Sequence, residues 1–216
     1  QGAGTITFTG DFDVTGSFSN PGSTASILFT GDGSRIDPAA TFLTTGTVTI
    51  GNDSADTLTF AGGFTHKAGS TVLAGTLRTE NTLARVQNLQ LGANATIDTG
   101  AGPGNIEIEG NVTIAVASTL QLAAGTGNIE VTGTADTLTS FTVTSANNAI
   151  FRNNITTNGA GGLAITATNI RLDGLTINTN TGNGTVTFNG PVQIDDTLII
   201  TRGTGLVQFN SPVTSE

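Results

Sequence analysis

An all-β fold, a right-handed parallel β-helix (β-solenoid) of about ten coils of roughly 21 residues, is what this sequence predicts. Three observations predict it: a composition of strand and corner residues, motifs that return at a near-constant interval, and apolar–polar alternation inside each motif. The chain is read as one continuous solenoid over residues 1–216.

Composition comes first. Of 216 residues 30 are Gly, and charged residues make up only 11%, less than half of the roughly 25% in ordinary soluble domains. Disordered chains are rich in charge and poor in β-branched residues, so this composition opposes disorder. Thr, Val, Ile and Phe favour strands, whereas Gly, Asn and Asp favour tight corners.

Recurrence sets the architecture. Phe8-Thr9-Gly10-Asp11 returns as Phe29-Thr30-Gly31-Asp32, and the pattern is echoed at Ile50-Gly51-Asn52-Asp53. Thr185-Val186-Thr187-Phe188-Asn189 aligns with Leu206-Val207-Gln208-Phe209-Asn210, each followed by Pro-Val (Pro191-Val192, Pro212-Val213). Gly104-Asn105-Ile106-Glu107-Ile108-Glu109-Gly110 returns as Gly127-Asn128-Ile129-Glu130-Val131-Thr132-Gly133. One coil per repeat, with equivalent strands stacked about 4.8 Å apart, accounts for the interval. An antiparallel sandwich also suits short strands, but it does not explain a motif that returns near 21 residues.

Alternation then assigns the core ladder. Ile6 and Phe8, Ile27 and Phe29, and Val48 and Ile50 face inward on successive coils, with Thr5, Thr7, Thr47 and Thr49 outward. Ile106 and Ile108 lie beside Ile129 and Val131, and Val186 and Phe188 beside Val207 and Phe209. Phe8 over Phe29, and Phe188 over Phe209, are expected as stacked aromatic steps. The repeat is blurred over Arg78–Asn94, and Thr79–Asn94, with Arg78 and Arg85, is expected to be a loop excursion.

These repeats resemble a known family. Gly125-Thr126-Gly127-Asn128-Ile129-Glu130-Val131-Thr132-Gly133 with Leu138-Thr139-Ser140-Phe141-Thr142-Val143-Thr144, and Gly182-Asn183-Gly184-Thr185-Val186-Thr187-Phe188-Asn189-Gly190-Pro191-Val192, look like the β-strand repeats of giant filamentous-haemagglutinin-like bacterial exoproteins. The resemblance covers most of the chain. It implies export, a right-handed parallel β-helix, and surface adhesion or filament formation, and it carries no catalytic motif.

Several chemistries are tested against the residues. No Cys is present, which excludes disulfides, thiolate metal sites and a cysteine nucleophile. A net charge of −9 with scattered cations opposes nucleic-acid binding, and no apolar run is long enough to span a membrane. His66 is the single histidine, expected in a loop and at the surface, so no catalytic triad is assembled and the chain is read as not an enzyme.

Two acidic sets are calcium candidates. Asp11, Asp32 and Asp53 recur at a constant interval and are expected in one corner column; Glu107, Glu109 and Glu130 share one strand face. Such sets give calcium only part of its oxygen shell, so turn capping and a solvated face are preferred, and no cofactor is assigned. Thr-x-Thr triplets suggest an ice-matching face, but Ser26-Ile27-Leu28 and Glu107-Ile108-Glu109 interrupt the row.

Two functions follow as expectations. In one, the chain is a secreted, cell-surface structural element of a bacterial filament, fibre or sheath that self-associates end to end. In the other, it is an adhesin rod that grips a glycan or a receptor on a host or partner cell. Gln1 is not an initiator, so the chain is expected to be a processed mature end or an excised segment. Gly205-Leu206-Val207-Gln208-Phe209-Asn210-Ser211-Pro212-Val213 breaks off just after a strand-like run, so a segment of a longer or polymerising chain is favoured. Gly2-Ala3-Gly4-Thr5-Ile6-Thr7-Phe8 starts as a strand almost at once, so uncapped ends are expected.

Overall fold

Short apolar–polar runs punctuated by Gly, Asn and Asp become strands that turn a corner every few residues and pair with their equivalents one coil away. The computed structural model describes residues 3–20 and 22–215. Gln1 and Gly2, on which the expectations about the start of the chain partly rest, lie outside these residues. Among the described residues there are 23 strands and no helix, and every recorded strand pairing is parallel. The result is a β-solenoid of about 10 coils, with about 22 residues per coil. The length is on the order of 50 Å at the strand spacing.

Three stacked faces run along the axis. The first contains Thr5–Phe8, Ser26–Phe29 and Val48–Ile50 and continues through Val112–Ile114 to Leu175–Thr179 and Leu198–Arg202. The second runs from Asp13–Val14 through Thr57–Phe60 and Thr119–Ala123 to Val186–Asn189 and Val207–Phe209. The third runs from Ala40–Phe42 through Ile106–Ile108, Ile129–Val131 and Asn148–Phe151 to Val192–Ile194 and Val213–Ser215.

The expected registers are observed. Phe8 pairs with Phe29, Ile106 with Ile129, Val186 with Val207 and Phe188 with Phe209. The Phe8–Phe29 rings are stacked with centroids 5.0 Å apart, and the Phe188–Phe209 rings at 4.9 Å. In between, the core is aromatic-rich at one end: Phe42–Phe60 and Phe60–Phe64 meet edge-on at 6.2 and 4.9 Å. Each such fully buried ring stabilises the fold by roughly 1.5–3 kcal/mol relative to exposure.

Two expectations are corrected here. The blurred stretch is not a loop: Phe64–Thr79 and Ala84–Asp98 are the two longest strands, pairing with each other along much of their length. The coil shortens there, since Phe64 aligns with Ala84 but Thr71 with Leu89, so a fixed interval loses the repeat while the inward residues Ala84, Val86, Leu89 and Leu91 remain buried. The end rungs of the core ladder are also not enclosed. Ile6 and Phe8 are 44% and 36% exposed and Phe209 38%, with Val207 half-buried, because no further described coil covers them.

Corners are closed by side chains acting on the next coil. Asn105 Oδ1 accepts the Asn128 N–H at 2.9 Å, and Asn111 Oδ1 the Thr134 N–H at 3.1 Å. Asn154 and Asn183 likewise accept from Thr176 and Thr204. In each case the acceptor lies on the earlier coil. Buried Thr hydroxyls close the loops from inside: Thr99 donates to the Gly104 carbonyl at 2.7 Å and Thr179 to Gly184 at 2.8 Å. This satisfies backbone groups that would otherwise be stranded beside the core. At Gly51 the corner requires φ +74°, and a Cβ there would run into the Ala74 carbonyl of the next coil.

Candidate functional site

Chemistry gathers on the third face. Its outward column runs Thr65, Arg85, Glu107, Glu130, Ile150, Arg171, Gln193, Thr214, one residue per coil. Beside it Asn105, Asn128, Asn148 and Asn169 form a second column, linked by Asn148 Nδ2 donating to Asn128 Oδ1 at 2.7 Å and Asn169 Nδ2 to Asn148 Oδ1 at 3.2 Å. Lys67, Glu109, Arg152, Asp173 and Asp195 flank the other side.

Glu130 stands over Glu107 as the repeat predicts. Two stacked carboxylates repel unless a cation intervenes, and here guanidinium groups supply it. Arg85 pairs with Glu107 and lies 3.6 Å from Glu109, which also meets Lys67 at 3.0 Å. Arg152 bridges Glu130 at 2.8 Å and Asp173 at 2.7 Å, and its guanidinium is held charged mainly by Glu130. Arg171 binds Asp195 and, by that hydrogen bond, holds its carboxyl below the usual range. The face therefore carries Lys67, Arg85, Arg152 and Arg171, four of the chain's seven cationic side chains.

The calcium candidates are not gathered. Among the described residues, no group of three or more His, Cys, Asp or Glu side chains is placed to hold a metal ion. Asp11 Oδ1 accepts the Gly33 N–H at 3.0 Å, and Asp53 Oδ1 the Ala55 N–H at 2.7 Å. The constant interval does not make one column, because this corner lengthens: the Thr57 N–H donates to the Asp32 carbonyl, which sets Asp32 against the Asp56–Thr57 step. Asp56 is itself buried and accepts the Asn52 N–H at 2.6 Å.

His66 is corrected from surface loop to core. It lies within the strand Phe64–Thr79 and is fully buried. Its Nε2 lies 3.1 Å from the Thr44 carbonyl and its Nδ1 3.0 Å from Thr71 Oγ1. A carbonyl only accepts, so Nε2 carries the proton and Nδ1 accepts from the Thr71 hydroxyl. Burial lowers its pKa, opposed by the Thr44 bond.

Three depressions lie on the third face. The largest, about 370 Å³, is lined by Asn148, Ile150, Asn169, Arg171, Pro191 and Pro212 among others. One of about 180 Å³ shares Asn148 and Ile150 with it, and one of about 150 Å³ shares Glu107 and Glu130 with the second. Sequence reasoning singled out the Glu pair and the Pro-Val repeats, placed Arg85 in a loop rather than beside Glu107, and missed Arg152 and Ile150, whose partners become visible only through register.

The fold defines a parallel β-solenoid. Comparison with known proteins finds no matching family model, no matching curated protein and no matching solved structure. The likeness to filamentous-haemagglutinin-like repeats therefore rests on the repeat segments alone.

Proposed function

We propose that this chain is a non-catalytic structural element of a bacterial surface filament, fibre or sheath, extended by end-to-end stacking outside the cell. The observation that carries this reading is the in-register stacking of equivalent coils, with Phe8 on Phe29 and Phe188 on Phe209. Each coil offers the next the same inward apolar column and the same parallel backbone edge, the geometry by which a further coil, from this chain or from another copy, is added. The absence of reactive machinery is supported by His66, sealed in the core, and by third-face carboxylates held by guanidinium groups. No helix among the described residues is long and apolar enough to cross a membrane.

Sedimentation and electron microscopy test the reading. The purified chain is expected to form fibres with a regular coil repeat at micromolar concentration, and paired Phe8→Lys and Phe209→Lys substitutions to return it to monomers. Discrete monomers of the unmodified chain that hydrolyse a glycan would overturn it. A rod that grips a glycan is a second reading, favoured by one observation, the depression of about 370 Å³ that runs over four coils of the third face.

A further inference from the structure

We propose that the third face, over its last four coils, is a binding trough for a neutral, extended polysaccharide lying along the rod axis with one sugar residue to a coil. This gives the second reading a place and a ligand class and rests on it, not on end-to-end assembly.

Continuity is the first support. The largest depression runs over four successive coils, from Asn148 and Ile150 past Asn169 and Arg171 and past Pro191 and Gln193 to Pro212 and Thr214. The second is a change of chemistry along it. Ile150 takes an outward, half-buried position in a column otherwise made of polar residues. One coil beyond Asn169 the neighbouring column switches from Asn to Pro191, and then Pro212. None of the three is needed by the core, which is filled by inward Ala149, Phe151, Ile170 and Val192.

The resulting strip alternates apolar patches with amides and hydroxyls. Asn148 and Asn169 each use one amide hydrogen in the ladder and keep a second for a ligand. A pyranose ring has matching chemistry: a C–H face for proline or isoleucine and hydroxyls at its rim for amides. Coils repeat at about 4.8 Å, close to the advance of one residue in an extended β-linked polysaccharide.

Other occupants fit less well. Arg171 and Arg152 are engaged by Asp195 and Asp173, so an acidic glycan or a nucleic acid finds no uncommitted guanidinium in the trough. A peptide strand finds no edge, because Asn148–Phe151, Asn169–Leu172 and Val192–Ile194 are paired to neighbours on both sides.

Titration calorimetry with linear β-linked glucose and N-acetylglucosamine oligomers of increasing length tests the trough. Affinity is expected to rise with length and level off near four residues, one for each coil. Ile150→Lys and Thr214→Lys, both at outward positions, are each expected to weaken binding at least tenfold, with unchanged circular dichroism. Thr142→Lys, on the second face, is expected to leave it unchanged. The proposal is overturned if neither series binds, if affinity does not depend on length, or if Thr142→Lys is as damaging as Ile150→Lys. Sedimentation of the same samples separates the two readings: a monomer that binds upholds the trough and sinks assembly, and a fibre that does not bind does the reverse.

Discussion

At the scale of single residues, His66 is the group whose chemistry is most altered by the fold. Its imidazole is enclosed, bonded on both nitrogens, and kept neutral by burial. The unfolded chain takes up a proton as pH falls through about 6.5, and the folded chain resists doing so. Stability is therefore flat above that value and declines as the solution is made more acid towards the lower folded-state pKa. Two carboxyls act in a different window. Glu80, held down mainly by its hydrogen bond to Arg35, and Asp195, held down by Arg171, stabilise the fold above their unfolded values near 4.5 and 3.8 and lose that contribution only in stronger acid. Melting temperatures between pH 7.5 and about 5 are thus expected to fall for the native chain. His66→Gln, which can still donate to Thr44 and accept from Thr71, is expected to flatten that limb.

At the scale of elements, the third face shows how a charged column is tolerated on a sheet. Glu107 and Glu130 are neighbours, but Arg85 and Arg152 enclose the pair from either side. Partly exposed pairs of this kind contribute about 0.2–1 kcal/mol each. Arg85→Met keeps the aliphatic stem over the strand and removes the cation, leaving Glu107 against Glu130 and Glu109 against Lys67 alone. Urea denaturation is expected to show a loss of about 1 kcal/mol at low salt that shrinks as salt rises; a salt-independent loss would point to packing instead. The same face shows what was legible beforehand. Where coils keep nearly the same length, as from Phe8 to Phe29 or Ile106 to Ile129, motif spacing alone gives the true register. Where the coil contracts, between Thr71 and Leu89, the spacing fails and a long strand reads as a loop. Arg85 lies just there, so the counter-ion of Glu107 was hidden along with the register. His66 was misplaced for a related reason. Polar content suggested a loop, whereas the inward position beside Phe64 and the waiting Thr44 and Thr71 partners make it a core residue.

At the scale of the whole molecule, the rod behaves as a one-dimensional array. Backbone pairing joins each coil only to its neighbours, and side-chain bridges such as Arg35–Glu80 and Lys67–Glu109 reach one coil further. Stability is therefore close to a sum of coil and interface contributions, and an end coil has one interface fewer. Exposure follows this, rising at Ile6 and Phe8 and again at Phe209 and Val213 while Phe29, Phe141 and Phe188 are sealed. Native-state hydrogen exchange is expected to show a gradient, fastest in residues 5–20 and 198–215 and slowest between them. Uniform protection along the chain would show instead that the array unfolds as one unit. The gradient belongs to free ends, so it is expected in the Phe8→Lys, Phe209→Lys monomer and to flatten in the assembled fibre, where each end is covered by the next copy.

The corner asparagines also give the rod a sense of time. Asn105, Asn111, Asn154 and Asn183 each hold out a carbonyl to a coil that comes later in the chain. A polypeptide delivered amino end first thus finds an acceptor already in place at those corners when the next stretch arrives. Delivered in the opposite order, the same corners would present backbone donors with nothing yet built to receive them. At these four corners the direction in which the chain is made and the direction in which the corner closes coincide, so each of them is a mould for the turn that follows.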